Sequence, residues 1–146
     1  MAQKPVWIVD CDQKTGFTLI EMIIIIIVLS VLASLALPRF YDTVEFSRSM
    51  EALKNIDLVR TSMDTCFALT ADYSECADFD TLDAGDPSNY VNSHFEYVFD
   101  SADTEGFSIT ALRNTLDGGD GVSTIVFTYD ATSITKSGTG AFEGIK

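Results

Sequence analysis

A long apolar run with a single charge occupies the first part of the chain. From residue 17 to residue 37 the only charged side chain is Glu21, and the run contains no Gly or Pro. At about 1.5 Å per residue these positions would form a helix of about 31 Å, close to the roughly 30 Å hydrocarbon core of a bilayer. Because a lone span must satisfy its backbone hydrogen bonds internally, the pattern predicts a membrane-spanning helix.

Glu21 is the unusual residue of this run. A carboxylate inside a membrane helix costs on the order of 2.5 to 3.5 kcal/mol near the centre, and such residues usually have a function. The nearest basic residues are Lys14 before it and Arg39 after it, so no cation lies within reach on the same helix. The sequence therefore predicts that Glu21 finds its partner elsewhere.

After Pro38 the apolar pattern changes from continuous to periodic. Pro38 is expected to kink the helix rather than end it, because apolar residues resume at steps of three and four. This stripe comprises Phe40, Val44, Phe46, Met50, Leu53, Ile56, Val59, Met63 and Phe67. Residues 38–70 are therefore predicted to be the amphipathic half of the same helix, packed on a sheet through the stripe.

From residue 94 the period of the apolar positions drops to two, which is typical of strands. Four short strands are predicted, at about 95–99, 107–111, 122–129 and 133–136. Turn-forming residues separate them, and such short connections imply an antiparallel meander with one face on the helix. The predicted fold class is α+β, with residues 71–146 forming a globular head that begins with a loop.

Composition limits what else the chain can hold. Its 146 residues, 47% of them hydrophobic, allow one small domain beyond the apolar helix. With 22 acidic and 9 basic residues, the net charge is −13. Such a charge repels nucleic acid and anionic headgroups at long range, so we expect no nucleic-acid partner.

The residues suggest no catalytic constellation. His94 is the only histidine, and no nucleophile motif surrounds it, so it is interpreted as an ordinary residue at a strand start. The segment from Asp117 to Asp120 is similar to a calcium loop only superficially, because it lacks the alternating acids and terminal Glu of an EF-hand. A hairpin turn is the preferred interpretation, with an adventitious Ca²⁺ site as the alternative. We expect no enzyme, no cofactor and no metal site.

The first residues of the run carry a family resemblance. Gly16-Phe17-Thr18-Leu19-Ile20-Glu21, followed by an apolar span and Pro38, resembles the N-terminal signature of type IV pilins and pseudopilins, and the resemblance covers residues 14–60. It implies a pilin-like fold, cleavage by a prepilin peptidase between Gly16 and Phe17, and N-methylation of Phe17. It also implies that Glu21 directs subunit docking. Residues 1–16 would then be a leader peptide and 17–37 the transmembrane and filament-core helix.

The function implied by this resemblance is that of a structural subunit of a type IV pilus. The precursor would lie in the inner membrane and the mature subunit in a helical filament at the cell surface. The implied partners are copies of itself, the prepilin peptidase and methyltransferase, the inner-membrane assembly machinery, and membrane lipid before assembly. Two alternatives stay open: a pseudopilin of a type II secretion system with a short periplasmic filament, and a secreted or anchored binding module with an ordinary signal peptide cut after Ser34-Leu35-Ala36.

The expected state of the cysteines follows from this topology. Cys66 and Cys76 would lie outside the cytoplasm, where two thiols usually pair. We expect a disulfide that contributes somewhat less than about 3 kcal/mol. Metal binding is the rival interpretation, but two Cys with His94 do not complete a four-ligand site. Cys11 lies in the leader and is expected to stay reduced.

Overall fold

The computed structural model describes residues 16–145. The predicted leader, apart from Gly16, therefore lies outside the described residues, and so does Cys11. The chain divides after Pro38 into two compact units, Met1–Pro38 and Arg39–Lys146. Helix α1 (Leu19–Thr70) contributes residues to both units, whereas all the strands belong to the second.

In the first unit, the apolar run is helical as predicted. Its large apolar side chains are exposed by 40% to 77%. The two serines of the run are satisfied within the helix, since Ser30 donates to the carbonyl of Ile27 and Ser34 donates to that of Val31, both at 2.7 Å. These serine hydroxyls therefore need no water, which suits a helix that faces lipid. Pro38 lies inside α1, and the kink at this residue stays a prediction.

In the second unit, α1 buries a narrower stripe than the sequence predicted. The buried positions follow steps of three and four and comprise Ser49, Ala52, Ile56, Val59 and Met63. The assignment of Phe40, Phe46 and Met50 to the packed stripe is wrong, because these side chains are 62%, 64% and 54% exposed. At about 100° per residue, Met50 lies about 120° and Phe46 about 80° around the helix from Ile56.

The sheet is the predicted antiparallel meander. Its strands are β1 (Phe95–Ala102), β2 (Phe107–Arg113), β3 (Thr124–Tyr129) and β4 (Ile134–Gly138), in the order β1-β2-β3-β4. One row across the sheet pairs Phe99 with Ile109, Ile109 with Phe127, and Phe127 with Lys136. Ile109 and Phe127 are fully buried and belong to the same apolar core as Ile56 and Met63 of α1. The α+β prediction is therefore confirmed.

The connection between α1 and β1 contains three single-turn 3₁₀ helices, at Tyr73–Glu75, Phe79–Thr81 and Pro87–Asn89. An aspartate precedes each turn, and its carboxylate accepts a hydrogen bond from the backbone N–H two residues later. The three caps are Asp72 to Ser74 at 2.8 Å, Asp78 to Asp80 at 3.0 Å, and Asp86 to Ser88 at 2.8 Å. These acids therefore organise the segment that the sequence predicted as a loop.

The predicted disulfide is present between Cys66 and Cys76. It joins the end of α1 to the first 3₁₀ turn, where Cys76 is fully buried. Next to it, Tyr73 stacks on Phe67 at 4.3 Å between ring centroids and donates its hydroxyl to Asp64 at 2.9 Å. Burial of this ring raises the pKa of Tyr73. The disulfide and the aromatic pair together fix the end of the helix against the head.

Candidate processing and assembly site

The start of α1 is fixed by a reciprocal pair of side chains. Thr18 directly precedes the first helical residue, Leu19. The backbone N–H and the hydroxyl of Thr18 both donate to Oε2 of Glu21 at 3.3 Å, and the backbone N–H of Glu21 donates to the Thr18 hydroxyl at 3.3 Å. This arrangement is a capping box, in which two side chains satisfy backbone donors that the first turn leaves free.

The capping box gives Glu21 a partner that we did not predict. We expected no basic residue within reach on this helix and a partner elsewhere. Thr18 is an uncharged hydrogen-bond partner close in sequence, and the external partner stays a prediction. Both contacts use Oε2, and within residues 16–145 no donor contacts Oε1. The spacing Thr-x-x-Glu before an apolar run was the signal that could have identified Thr18. Among the described residues, one carboxylate oxygen therefore stays available to an external group.

The predicted cleavage position lies outside the helix. Gly16, Phe17 and Thr18 have no regular secondary structure. The Phe17 side chain is 74% exposed, and no atom of the described residues lies within 4 Å of the position that a Cβ on Gly16 would occupy. An exposed, non-helical backbone is the kind of segment that proteases cleave. The bond between Gly16 and Phe17 is thus accessible within the described chain.

The Asp117 to Asp120 segment forms the connection between β2 and β3. Asp117 has a φ of 51° and Gly118 a φ of 83°, both in the left-handed region that tight turns use. Asp120 accepts hydrogen bonds from the backbone of Val122 at 3.0 Å and of Ser123 at 2.9 Å, and also from the Ser123 hydroxyl. The hydrogen bonds from Ser123 are the main reason why the pKa of Asp120 is lowered.

Asp117 is also occupied by internal partners. Its Oδ2 lies 2.9 Å from Nε2 of His94 and 3.3 Å from Nη2 of Arg48. The hydrogen bond from His94 is the main cause that lowers the pKa of Asp117. In the described part of the chain, no group of three or more His, Cys, Asp or Glu side chains is arranged to hold a metal ion. The geometry favours the turn over the calcium site.

His94 belongs to a charged cluster that sequence reasoning missed. We define the polar cluster as Glu45, Arg48 and Glu51 of α1, His94 before β1, Arg113 at the end of β2, and Asp117. Arg113 is 1% exposed and donates through Nε and Nη2 to Glu45 at 3.0 and 3.2 Å. A buried guanidinium needs such a fork of acceptors. The polar cluster therefore ties α1 to two parts of the sheet.

Comparison with known proteins finds a family model that matches the N-terminal segment. Residues 12–37 match the family model described as "Prokaryotic N-terminal methylation motif". The matched stretch contains the accessible Gly16-Phe17 bond, the capping box and the apolar run. A search of solved structures finds no significant match.

Curated relatives extend the similarity to 63 residues. A "Fimbrial protein" of Moraxella nonliquefaciens is 39% identical over 63 residues, which cover 39% of this chain and 41% of the relative. A "Type IV major fimbrial protein FimA" of Dichelobacter nodosus is 30% identical over 63 residues, which cover 43% of this chain and 40% of the relative. The chain spans about two fifths of the length of the curated relatives it matches. These matches confirm the predicted resemblance to the type IV pilin family through its N-terminal methylation motif.

Proposed function

We propose that this chain is the precursor of a type IV pilus subunit, a structural protein that polymerises with copies of itself. The observation that carries the proposal is the start of α1, where an accessible Gly16-Phe17 bond and the Thr18–Glu21 capping box precede an exposed apolar helix. The match to the methylation motif and the names of the relatives support it. The relatives are named as fimbrial proteins, which favours a pilus over the secretion-system pseudopilus.

The capping box explains how a single subunit would hold its docking acid. Cleavage after Gly16 would leave a positive amine on Phe17, which a methyltransferase would then methylate. Thr18 keeps the Glu21 carboxylate at the first turn of α1, where the partial positive charge of the helix terminus favours an anion. Oε1, which no donor contacts among the described residues, could accept the amine of a neighbouring subunit, and such a pair is strong in a low-dielectric filament core.

The apolar run supports the proposed route of the subunit. Helix α1 is long and apolar enough to cross a membrane, and none of its most apolar window is buried within the chain. So large an exposed apolar surface requires lipid or other chains to cover it. We propose that inner-membrane lipid covers it in the precursor and neighbouring helices cover it in the surface filament. Prepilin peptidase and the inner-membrane assembly machinery would act between these two states.

The alternative with an ordinary signal peptide places the cut elsewhere. Ser34, Leu35 and Ala36 lie inside α1, and the Ser34 hydroxyl donates to the carbonyl of Val31. A cut at this position would remove the capping box and most of the apolar run. It would leave the methylation motif without a role.

Two substitutions at Glu21 test the docking role. Glu21→Gln keeps the side-chain acceptor of a capping box but removes the charge, whereas Glu21→Ala removes both. We expect both variants to lose the leader normally and to reduce surface filaments at least tenfold, as measured by electron microscopy and immunoblotting of sheared fibres. Normal filaments from Glu21→Gln would contradict charge-based docking. Failure of both variants to lose the leader would show that Glu21 acts in processing instead.

A further inference from the structure

His94 is the only histidine of the chain, and its ring lies between two carboxylates. Nδ1 is 2.9 Å from Oε2 of Glu51 on α1, and Nε2 is 2.9 Å from Oδ2 of Asp117 in the β2–β3 connection. The side chain is 7% exposed. A neutral imidazole carries one N–H and can donate to only one of these carboxylates, whereas an imidazolium donates to both.

Arg48 allows a second arrangement of hydrogen bonds around the His94 ring. Its Nη1 lies 3.3 Å from Nδ1 of His94, and its Nη2 lies 3.3 Å from Oδ2 of Asp117. An unprotonated Nδ1 can therefore accept from Arg48, whereas in the described residues Nε2 faces only the Asp117 carboxylate. Loss of a ring proton thus breaks the bond to Glu51 and keeps the bond to Asp117. Glu51 still accepts the backbone N–H of His94 through Oε1 at 3.2 Å.

Charged groups face His94 from three elements. Helix α1 provides Arg48 and Glu51, the β2–β3 connection provides Asp117, and β2 provides Arg113, whose Nη1 donates to the carbonyl of His94 at 3.2 Å. Arg113 also forms an ion pair with Glu45, in which Nε lies 3.0 Å from Oε2 of the carboxylate. A proton on the second ring nitrogen would change the charge of the polar cluster and the number of carboxylates to which the ring donates.

We propose that His94 is a proton-controlled latch between α1 and the β2–β3 connection. In the protonated state the ring joins Glu51 to Asp117 and holds the connection against the helix. In the deprotonated state the ring no longer donates to Glu51, and the connection depends on Nε2 of His94 and on Arg48. Because the closed latch binds one more proton, a rise in pH weakens it. The proposal does not depend on assembly into a pilus.

The latch can be followed in the full chain in detergent micelles across a pH series. We expect ¹⁵N NMR to show both ring nitrogens protonated at the acidic end and only Nε2 protonated at the alkaline end. The hydrogen-bonded amides of Leu116 and Gly119 report on the connection. After correction for the intrinsic pH dependence of exchange, their exchange should rise about three- to tenfold on deprotonation, as expected for one partly exposed charge-assisted hydrogen bond.

Matched variants separate the latch from general effects of charge. Arg48→Met removes the donor to the unprotonated Nδ1 and should give a mixture of ring tautomers at the alkaline end. Lys54→Met, which removes an exposed cation from the same helix, should keep the Nε2–H tautomer. His94→Gln should abolish the pH step in exchange.

A variant of Asp117, which His94 contacts in the β2–β3 connection, tests the latch if His94→Gln does not fold. Asp117→Asn changes a side chain that is 67% exposed, and Asn tolerates the left-handed backbone of this residue. This variant should show fast exchange at Leu116 and Gly119 across the whole pH range. The latch would be overturned if Nδ1 were protonated and Nε2 unprotonated at the alkaline end. It would also be overturned if the unmodified chain showed no pH step in exchange.

Discussion

At the scale of single residues, many of the acids that give this chain its charge have internal partners. Asp103 accepts the backbone N–H groups of Glu105 and Gly106 at 2.8 and 2.9 Å in the β1–β2 turn. Asp130 has the same role in the β3–β4 turn, and Asp72 caps a 3₁₀ turn. These carboxylates are part of the fold, and loss of the acceptor is expected to loosen the turns that they hold.

Asp130 gives this expectation a defined pH range. Its carboxylate accepts the hydroxyl and backbone N–H of Thr132, both at 2.7 Å, and the backbone N–H and hydroxyl of Ser133 at 2.8 and 2.9 Å. The hydrogen bonds from Thr132 and then Ser133 lower the pKa of Asp130 from 3.8 to about 2. Because the folded pKa is the lower one, this stabilisation is present above the ordinary value of 3.8 and is lost as the pH falls towards 2.

We therefore predict that the β3–β4 turn loosens as the pH falls from about 4 to about 2. The measurement is the chemical shift and exchange rate of the Ser133 amide across this range. Asp130→Asn can form the same turn without titrating, so it should show no step there. An identical step in that variant would assign the change to another group.

The capping box and the latch differ in how far the sequence could predict them. The Thr18–Glu21 capping box was readable, because its partners are three residues apart and the motif is local. The latch at His94 could not be predicted from the sequence. Its partners Glu51 and Asp117 lie 43 and 23 residues away in sequence, and only the packing of α1 on the sheet brings them together.

At the scale of elements, periodicity identified the helix and the strands but not the exact face that α1 buries. Hydrophobicity favoured Phe46 and Met50, whereas the structure buries the small Ser49 and Ala52. A pattern of apolar letters cannot show that a small or polar residue faces the core. Ser49 tolerates burial because its hydroxyl donates to the carbonyl of Phe46 at 2.6 Å.

The edge strand β4 carries a lysine on its core-facing side. Lys136 pairs with the buried Phe127 in the β3–β4 register, and its Nζ lies 5.9 Å from the centre of that ring. A charge on the core-facing side of an edge strand discourages another strand from adding to the sheet. The sequence predicted the strand, but its place at the edge depends on the order of all four.

The disulfide leads to a prediction at the scale of elements. The ten-residue separation of Cys66 and Cys76 corresponds to about 2.7 kcal/mol from the loop-closure entropy of the unfolded chain. We expect Cys66→Ser with Cys76→Ser to lower the free energy of unfolding of the head by about 2 to 3 kcal/mol in urea.

The control for this prediction is Cys11→Ser, which removes the remaining thiol and should leave the urea midpoint unchanged. Equal stability of the double variant and the unmodified chain would show that the disulfide does not stabilise the head. Loss of stability in Cys11→Ser alone would contradict the pairing of Cys66 with Cys76.

At the scale of the whole molecule, charge is unevenly distributed along the head. Between Arg60 and Arg113 the sequence has 11 acidic residues and no Lys or Arg. Acidic surfaces of this kind repel their own copies. If the chain forms a filament as proposed, the segment from 61 to 112 is expected to face away from the same segment of neighbouring subunits.

The level of detail that the sequence could provide also differs across the molecule. The apolar run and the motif at Gly16, Phe17 and Glu21 are continuous in sequence, so they could be recognised without coordinates. The head is held by contacts between distant residues, such as Arg113 with Glu45, 68 residues apart. Its architecture was predictable from periodicity, whereas its polar cluster was not.

The proposed function requires that the chain is processed between Gly16 and Phe17 to a methylated pilus subunit. The most direct measurement is the intact mass and N-terminal sequence of the protein from sheared surface fibres or from its native envelope. We expect a chain that begins at Phe17, carries one added methyl group, and lacks two hydrogens because Cys66 and Cys76 are bonded. A chain that begins at Leu37, or one that still begins at Met1, would contradict it.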